Sequence, residues 1–273
     1  MSQPTAAWSK FGAEVRRLRT NLALSQGELA SAIHASRPLI SGYERGTRKP
    51  KRDMVESLDR TLEAGGQLIR AWAEISQRQM YPNWMADLIE AERQASVVRE
   101  YSLAPIPGLL QTEEYCRTIL QDGNSVATAD RIEESVQGRM KRQMIWDAPT
   151  SPAMIAILNE WTVNVQVGSA QIMIDQLTKL IGMTGTHSVR VQVIPNDAQR
   201  RPGRTGSFTL LTLPSDQDLL YVEDAVGGTM VHDTSQVRRL ALTFGDLQGV
   251  ALSPARSLDL LHVTRKGLES ERS

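Results

Sequence analysis

A chain of 273 residues with 41% apolar side chains is long enough for two packed domains, and its single cysteine, Cys116, excludes an internal disulfide and every cysteine-rich zinc site. The formal net charge is zero, yet residues 1–80 carry 13 Lys/Arg against 8 Asp/Glu while the remainder is correspondingly acidic, which directs the N-terminal part alone toward a polyanion. No apolar run of about 18 residues marks a membrane span and MSQPTAAWSK lacks the apolar core of a signal peptide, so a cytoplasmic, nucleoid-associated protein with no membrane partner is expected.

Phe11, Val15, Leu18 and Leu22 recur at one helical face and predict a first helix. Ser25-Gln26-Gly27-Glu28 has the form of a capping box and opens a short second helix that buries Leu29, Ala30 and Ile33. His34 falls at its end. Ser36 is a second cap candidate, and Pro38 is tolerated in a first turn because its missing N–H is not needed there. The third helix carries Leu39, Ile40 and Tyr43 and stops at Gly46, a natural C-terminal stop. Two short helices, a tight turn and the basic tail RGTRKPKR follow the helix-turn-helix plan. Leu58, Leu62, Leu68, Ile69 and Trp72 predict one further helix on each side of Gly65-Gly66. The expected boundaries are a helical domain over 8–75 and a polar linker over 76–83.

The string LSQGELA…S…ISGYERGTRKP resembles the Cro/C1-type (XRE) helix-turn-helix over about residues 11–62. The resemblance implies a double-stranded DNA operator as partner and a homodimer as the binding species. It places Gln26 at a phosphate, through its side chain or its N–H. It places Ser36, Arg37 and Ser41 toward base edges, with Arg37 able to contact guanine. Arg45, Arg48, Lys49, Lys51 and Arg52 then hold phosphates. Arg19 and Glu44 match a structural pair that ties the first helix to the end of the third. Pro38 and Gly42 stand where many relatives carry polar reading side chains, so direct readout is expected to be sparse and shape readout to contribute more.

Past the linker, Trp84, Leu88, Glu92, Ala95 and Val98 predict a helix over 84–99. PIPGLLQT follows, read either as core or as the lining of a pocket or partner groove, and Thr112 caps a helix that begins with Glu113-Glu114. Helices are expected over 129–146, over 170–183, from 235 and from Ser253-Pro254. Strands are expected at 153–158, 189–193, 207–213 and 219–223. Irregular mixing of the two predicts an α+β domain over 84–262 rather than a doubly wound sheet, with a flexible tail over 263–273. The fold class is therefore an α-helical helix-turn-helix domain followed by an α+β domain.

PGLLQTExY at 107–115, VQVIP at 191–195, Gly206-Ser207-Phe208, Tyr221-Val222-Glu223 and Leu252-Ser253-Pro254 resemble, in that order, the DUF5753 domain of Scr1-family antitoxin-like regulators. That resemblance implies transcription regulation, a small DUF397-like partner protein and no catalytic residues. A small-molecule ligand held within 84–262 is the other open reading. His187, His232 and His262 lie far apart, and neither a Gly-x-Ser-x-Gly elbow nor a P-loop occurs. Asn159-Glu160 and Glu223-Asp224 read as helix caps and solvated turns, with a polar pocket cluster as the alternative. No enzyme, metal or cofactor is expected. The loop NDAQRRPGRTG at 196–206 stands open between a solvated hairpin, a lid, a partner site and an auxiliary DNA contact.

Overall fold

The computed structural model describes residues 6–80, 85–186, 188–200, 202–203, 206–224 and 227–270, and the chain divides into two compact units, Met1–Gln79 and Met80–Ser273.

The first unit is helical, with α1 (Ala6–Asn21), α2 (Gln26–Ala32), α3 (Arg37–Glu44), α4 (Arg52–Thr61) and α5 (Gln67–Met80). Trp8, Phe11, Val15, Leu29, Ile40, Leu58 and Leu68 meet in one buried core. The helix pattern extends one residue too far at Leu22: α1 ends at Asn21, and Leu22 falls beyond it, exposed. The reason is a left-handed Ala23, which turns the chain sharply toward α2. α5 runs through Met80, across the first half of the expected linker, and Trp84 and residues 81–83 lie outside the described residues.

Asp59 on α4 joins the last two helices. Its carboxylate accepts from the backbone N–H groups of Gly66 at 2.7 Å and Leu68 at 2.9 Å, so a buried charge caps the first turn of α5. Nothing in the local pattern marks this residue, because its partners arrive only after the Gly65-Gly66 turn.

The second unit is built on a six-stranded sheet in the order β3-β2-β1-β4-β5-β6. Its strands are β1 (Val97–Ser102), β2 (Ala153–Asn159), β3 (Val189–Ile194), β4 (Phe208–Thr212), β5 (Asp218–Glu223) and β6 (Gly228–Val231). β1, β2 and β3 are parallel, whereas β4, β5 and β6 form an antiparallel meander against β1. The irregular alternation of helices and strands has this cause: one half is wound through helical crossovers, and the other is joined by short turns.

The predicted helix over 84–99 is corrected. α6 (Ala86–Gln94) stops early, and Val97–Ser102 is the central strand. Leu88 and Ala95 fit a helix, but Val97, Val98 and Tyr101 are β-formers, and Arg99 on one face with Glu100 on the other hides the period-2 signal. β6 was not predicted, since Gly228-Thr229-Met230-Val231 is too short to show alternation. α7 (Glu113–Asp122) starts at Thr112, whose hydroxyl accepts from the Tyr115 N–H. α8 (Ala129–Arg142) ends before 146 and continues as a 3-10 turn over Gln143–Asp147. α9 (Glu160–Asn164) and α10 (Ala170–Thr186) lead to β3, and α11 (Thr234–Val250) and α12 (Pro254–Ser270) close the unit. α12 continues through residues expected as a flexible tail, because Leu268 still packs on the core.

One core lies on each face of the sheet. Val98, Met154, Leu158 and Val191 face the side of α10 and α12, while Tyr101, Ile157, Phe208 and Leu220 face α11 with Phe244 and Leu247. PIPGLLQT is both of the things proposed for it. Ile106, Leu109 and Leu110 are fully buried, and their carbonyls are met by Gln111 Nε2 at 2.7 Å, Trp146 Nε1 at 3.0 Å and Gln176 Nε2 at 2.8 Å. A loop can lie in the interior only when its backbone is satisfied in this way. Asn159 is the cap residue of α9, and Glu160 accepts from the Asn196 N–H at 2.7 Å. In the loop at 196–206, Gly203 sits directly on the Tyr101 ring, and Arg201, Arg204 and Thr205 lie outside the described residues, as does His187.

Candidate nucleic-acid interface

α2 begins with the predicted capping box. The Ser25 hydroxyl accepts from the Glu28 N–H at 3.1 Å, and Glu28 accepts from the Ser25 N–H at 2.7 Å. The Ser25 N–H, and after it the Ser25 hydroxyl, hold the Glu28 carboxyl below the usual glutamate range. The turn to α3 passes through His34 in the left-handed region, φ 53°, with the Ala35 N–H reaching back to Ala30 at 2.8 Å. His34 is thus the C-terminal stop of α2, as its position suggested, and it occupies a conformation that glycine adopts without strain.

α3 enters solvent by its N-terminal end. Ser36, Arg37 and Pro38 are exposed, while Ile40, Tyr43 and Glu44 are buried. Ser36 is the N-cap residue; its hydroxyl makes no capping bond, Pro38 has no N–H to offer, and the Leu39 N–H is taken by the Ser36 carbonyl at 2.9 Å. Ser41 is half-buried, and its hydroxyl accepts from the Arg45 guanidinium. Gly42 is not an open reading position. It is buried under the Arg48 stem, which a Cβ would meet at 3.0–3.3 Å, so the missing side chain is what lets Arg48 lie across α3.

Arg45, Arg48, Lys49, Lys51 and Arg52 are all exposed. Arg52 pairs with Glu56 at 2.9 Å on a solvated surface, a contact weak enough to exchange for a phosphate. The Trp72 indole N–H donates to the Pro50 carbonyl at 2.9 Å and anchors this basic loop to α5. That anchor is a long-range tie which no local motif announces.

The expected Arg19–Glu44 pair is present and buried. Arg19 Nε lies 2.5 Å and Nη2 3.2 Å from the two oxygens of Glu44, and Arg19 Nη1 donates to the Leu24 carbonyl at 2.6 Å. Gln26 joins this network: its Nε2 donates to Glu44 Oε2 at 2.7 Å. The side-chain amide assigned to a phosphate therefore faces inward, and what Gln26 directs at the start of α2 is its backbone N–H. Gly12 and Gly46 let the pair form. A Cβ on Gly12 would stand 2.3 Å from the Tyr43 carbonyl oxygen, and one on Gly46 would stand 2.8 Å from the backbone of Trp8 and Ser9, so α1 rests directly on the end of α3.

A helix-turn-helix family model matches residues 10–72, and the model described as a domain of unknown function, DUF5753, matches residues 85–263. Neither the curated proteins nor the solved structures yielded a match. The first match covers α1 to α5 up to Trp72, with the exposed α3 terminus at its centre, and makes this unit a DNA-binding domain. The second covers the whole sheet and most of the flanking helices. The chain belongs to the DUF5753 family and carries a helix-turn-helix DNA-binding domain in front of that domain.

Proposed function

We propose that this protein is a sequence-specific transcription regulator that acts as a homodimer and reads its operator with the N-terminal end of α3 in the major groove. The observation that carries this reading is the exposure of Ser36 and Arg37 at the N-terminal end of α3, together with that of the basic residues from Arg45 to Arg52. Arg37 supplies the principal base contact, and Ser36 and Ser41 supplement it. The basic residues and the Gln26 N–H bind phosphates and give affinity without sequence information. One such helix spans only a few base pairs. A dimer with half-sites one helical turn apart, about 34 Å, provides the rest of the specificity.

Gel-shift titration with the region upstream of the protein's own gene tests the reading. Arg37→Ala is expected to weaken specific binding by about 1–3 kcal/mol and to leave non-specific binding nearly unchanged. Operator affinity equal to that of the unaltered chain would overturn the assigned orientation. Removing Lys49 and Arg52 together is expected to weaken all sequences alike and to lower the slope of log affinity against log salt by about two. A loss confined to the operator would contradict their assignment to phosphates.

A further inference from the structure

The second unit contains a polar cavity of about 360 Å³, within the range of small-molecule sites. The sheet register builds its floor. Glu100 on β1 stands opposite Thr209 on β4, and Thr209 stands opposite Tyr221 on β5, so three polar side chains form one row on the face that also carries Val98. Glu223 lies two residues beyond Tyr221 on the same face. Arg139 and Arg142 of α8 and the Pro105–Gly108 segment make the walls. β1 is the strand where the parallel half of the sheet gives way to the antiparallel half, and Glu100 and Ser102 place the cavity at its carboxyl end. Open α/β sheets bind ligands at such switch points.

Two features of the cavity favour a ligand. Tyr221 is 3% exposed, and its hydroxyl has no hydrogen-bond partner among the described residues, a state that is rare without a ligand or water to complete it. The charges are also unbalanced. Among the described lining residues Glu100 and Glu223 face Arg139 and Arg142, but Arg142 is already clamped by the buried carboxylate of Glu92 at 2.5 and 2.6 Å. Burial, and then the neighbouring Glu92 and Glu223 carboxylates, push the Glu100 carboxyl up to about 7 against the pull of Arg142 and Arg139. Burial likewise raises Glu223 and keeps the Tyr221 phenol protonated.

We propose that this cavity is a receptor site for a small organic cation, a metabolite-sized amine or guanidine whose N–H groups donate to Glu100, Glu223 and the Tyr221 hydroxyl. The signal for it was present in the sequence as Val98-x-Glu100-x-Ser102, one face of a strand, but it was hidden by the helical reading of 84–99. Glu223-Asp224 was the part of the site that the strand ends already indicated.

The test uses the full chain without DNA, so its failure leaves the operator reading untouched and the gel shift judges that reading separately. Putrescine, agmatine and ethanolamine are compared with glutarate and 1,4-butanediol by thermal shift and calorimetry at about 10 mM, where even millimolar affinity registers as added stability. At least one amine is expected to bind, and E100Q and Tyr221→Phe are each expected to weaken it by about ten-fold or more. Amine affinity is expected to fall as pH drops through about 7, where Glu100 takes up a proton, and E100Q is expected to flatten that dependence. The groups facing Glu100 are Glu92 from α6, Arg139 and Arg142 from α8, and Glu223 from β5. E100Q removes a charge from a buried site and should fold at least as well as the unaltered chain; Tyr221→Phe tests the same contact without touching a charge. Binding of glutarate in place of the amines, binding by none of the three amines, or unchanged amine affinity in both variants would each overturn the assignment.

Discussion

Glu44→Ala is expected to destabilise the helix-turn-helix unit by about 3–5 kcal/mol, the usual consequence of removing one partner from a buried ion pair. The alanine takes away the acceptor of Arg19 Nε, Arg19 Nη2 and Gln26 Nε2 together. It leaves a guanidinium whose side chain is only 10% exposed beside an apolar core. The lost charge–charge attraction is the smaller part of the effect. The larger part is the desolvated cation that remains without a counter-ion. Denaturant unfolding followed by tryptophan fluorescence would measure it, since Trp8 belongs to the same core. The double variant Arg19→Met/Glu44→Leu should recover most of the loss, because two apolar side chains of similar size leave no charge behind. A single-variant loss under about 1 kcal/mol would show that the pair is solvated in solution. DNA affinity should fall alongside stability, since the pair holds the end of α3 against α1, as the seam at Gly12 and Gly46 requires.

Arg142→Ala should be equally damaging to the second unit, by about 3–5 kcal/mol, and its effect should depend on pH. Glu92 is 1% exposed, and Arg142 is the guanidinium that clamps it. Without that charge, Glu92, Glu100 and Glu223 repel one another around the cavity. The Glu100 carboxyl already sits above its ordinary value, chiefly through burial. A carboxyl with a raised folded-state pKa holds a proton that the unfolded chain has released. Stability of the unaltered unit therefore declines as pH rises from the ordinary glutamate value to about 7, and levels off above it. Arg142 opposes the rise of Glu100, so its removal should extend the decline to higher pH. Melting temperatures of the two chains between mildly acidic and mildly basic pH would show the gap widening upward. A gap that narrows with rising pH would contradict this account of the cluster.

Much of the first unit was legible because its signals are local. The Ser25–Glu28 box, the stop at Gly46 and the 3.6-residue spacing of Phe11, Val15 and Leu18 each act within a few residues of chain. The inward turn of the Gln26 amide was not legible, since its partner, Glu44, is 18 residues away and is brought there by the packing of α3 on α1. Gly42 misled for a similar reason. A missing side chain reads as a missing base contact until Arg48 is seen lying across it.

By itself the sequence determined the helix-turn-helix, the basic arc behind it and most of the strands of the sheet, because capping, charge clustering and β-propensity are properties of neighbouring residues. Only the tertiary structure decided that Val97–Ser102 is the central strand rather than a helix end, and that Glu100, Thr209 and Tyr221 share one row. Strand pairing joins residues more than a hundred positions apart, and β1, with Arg99 on one face and Glu100 on the other, shows no apolar–polar alternation by which to recognise it. The same holds for Glu92 and Arg142. They lie 50 positions apart, on α6 and α8, and only the packing of those helices makes them a buried pair.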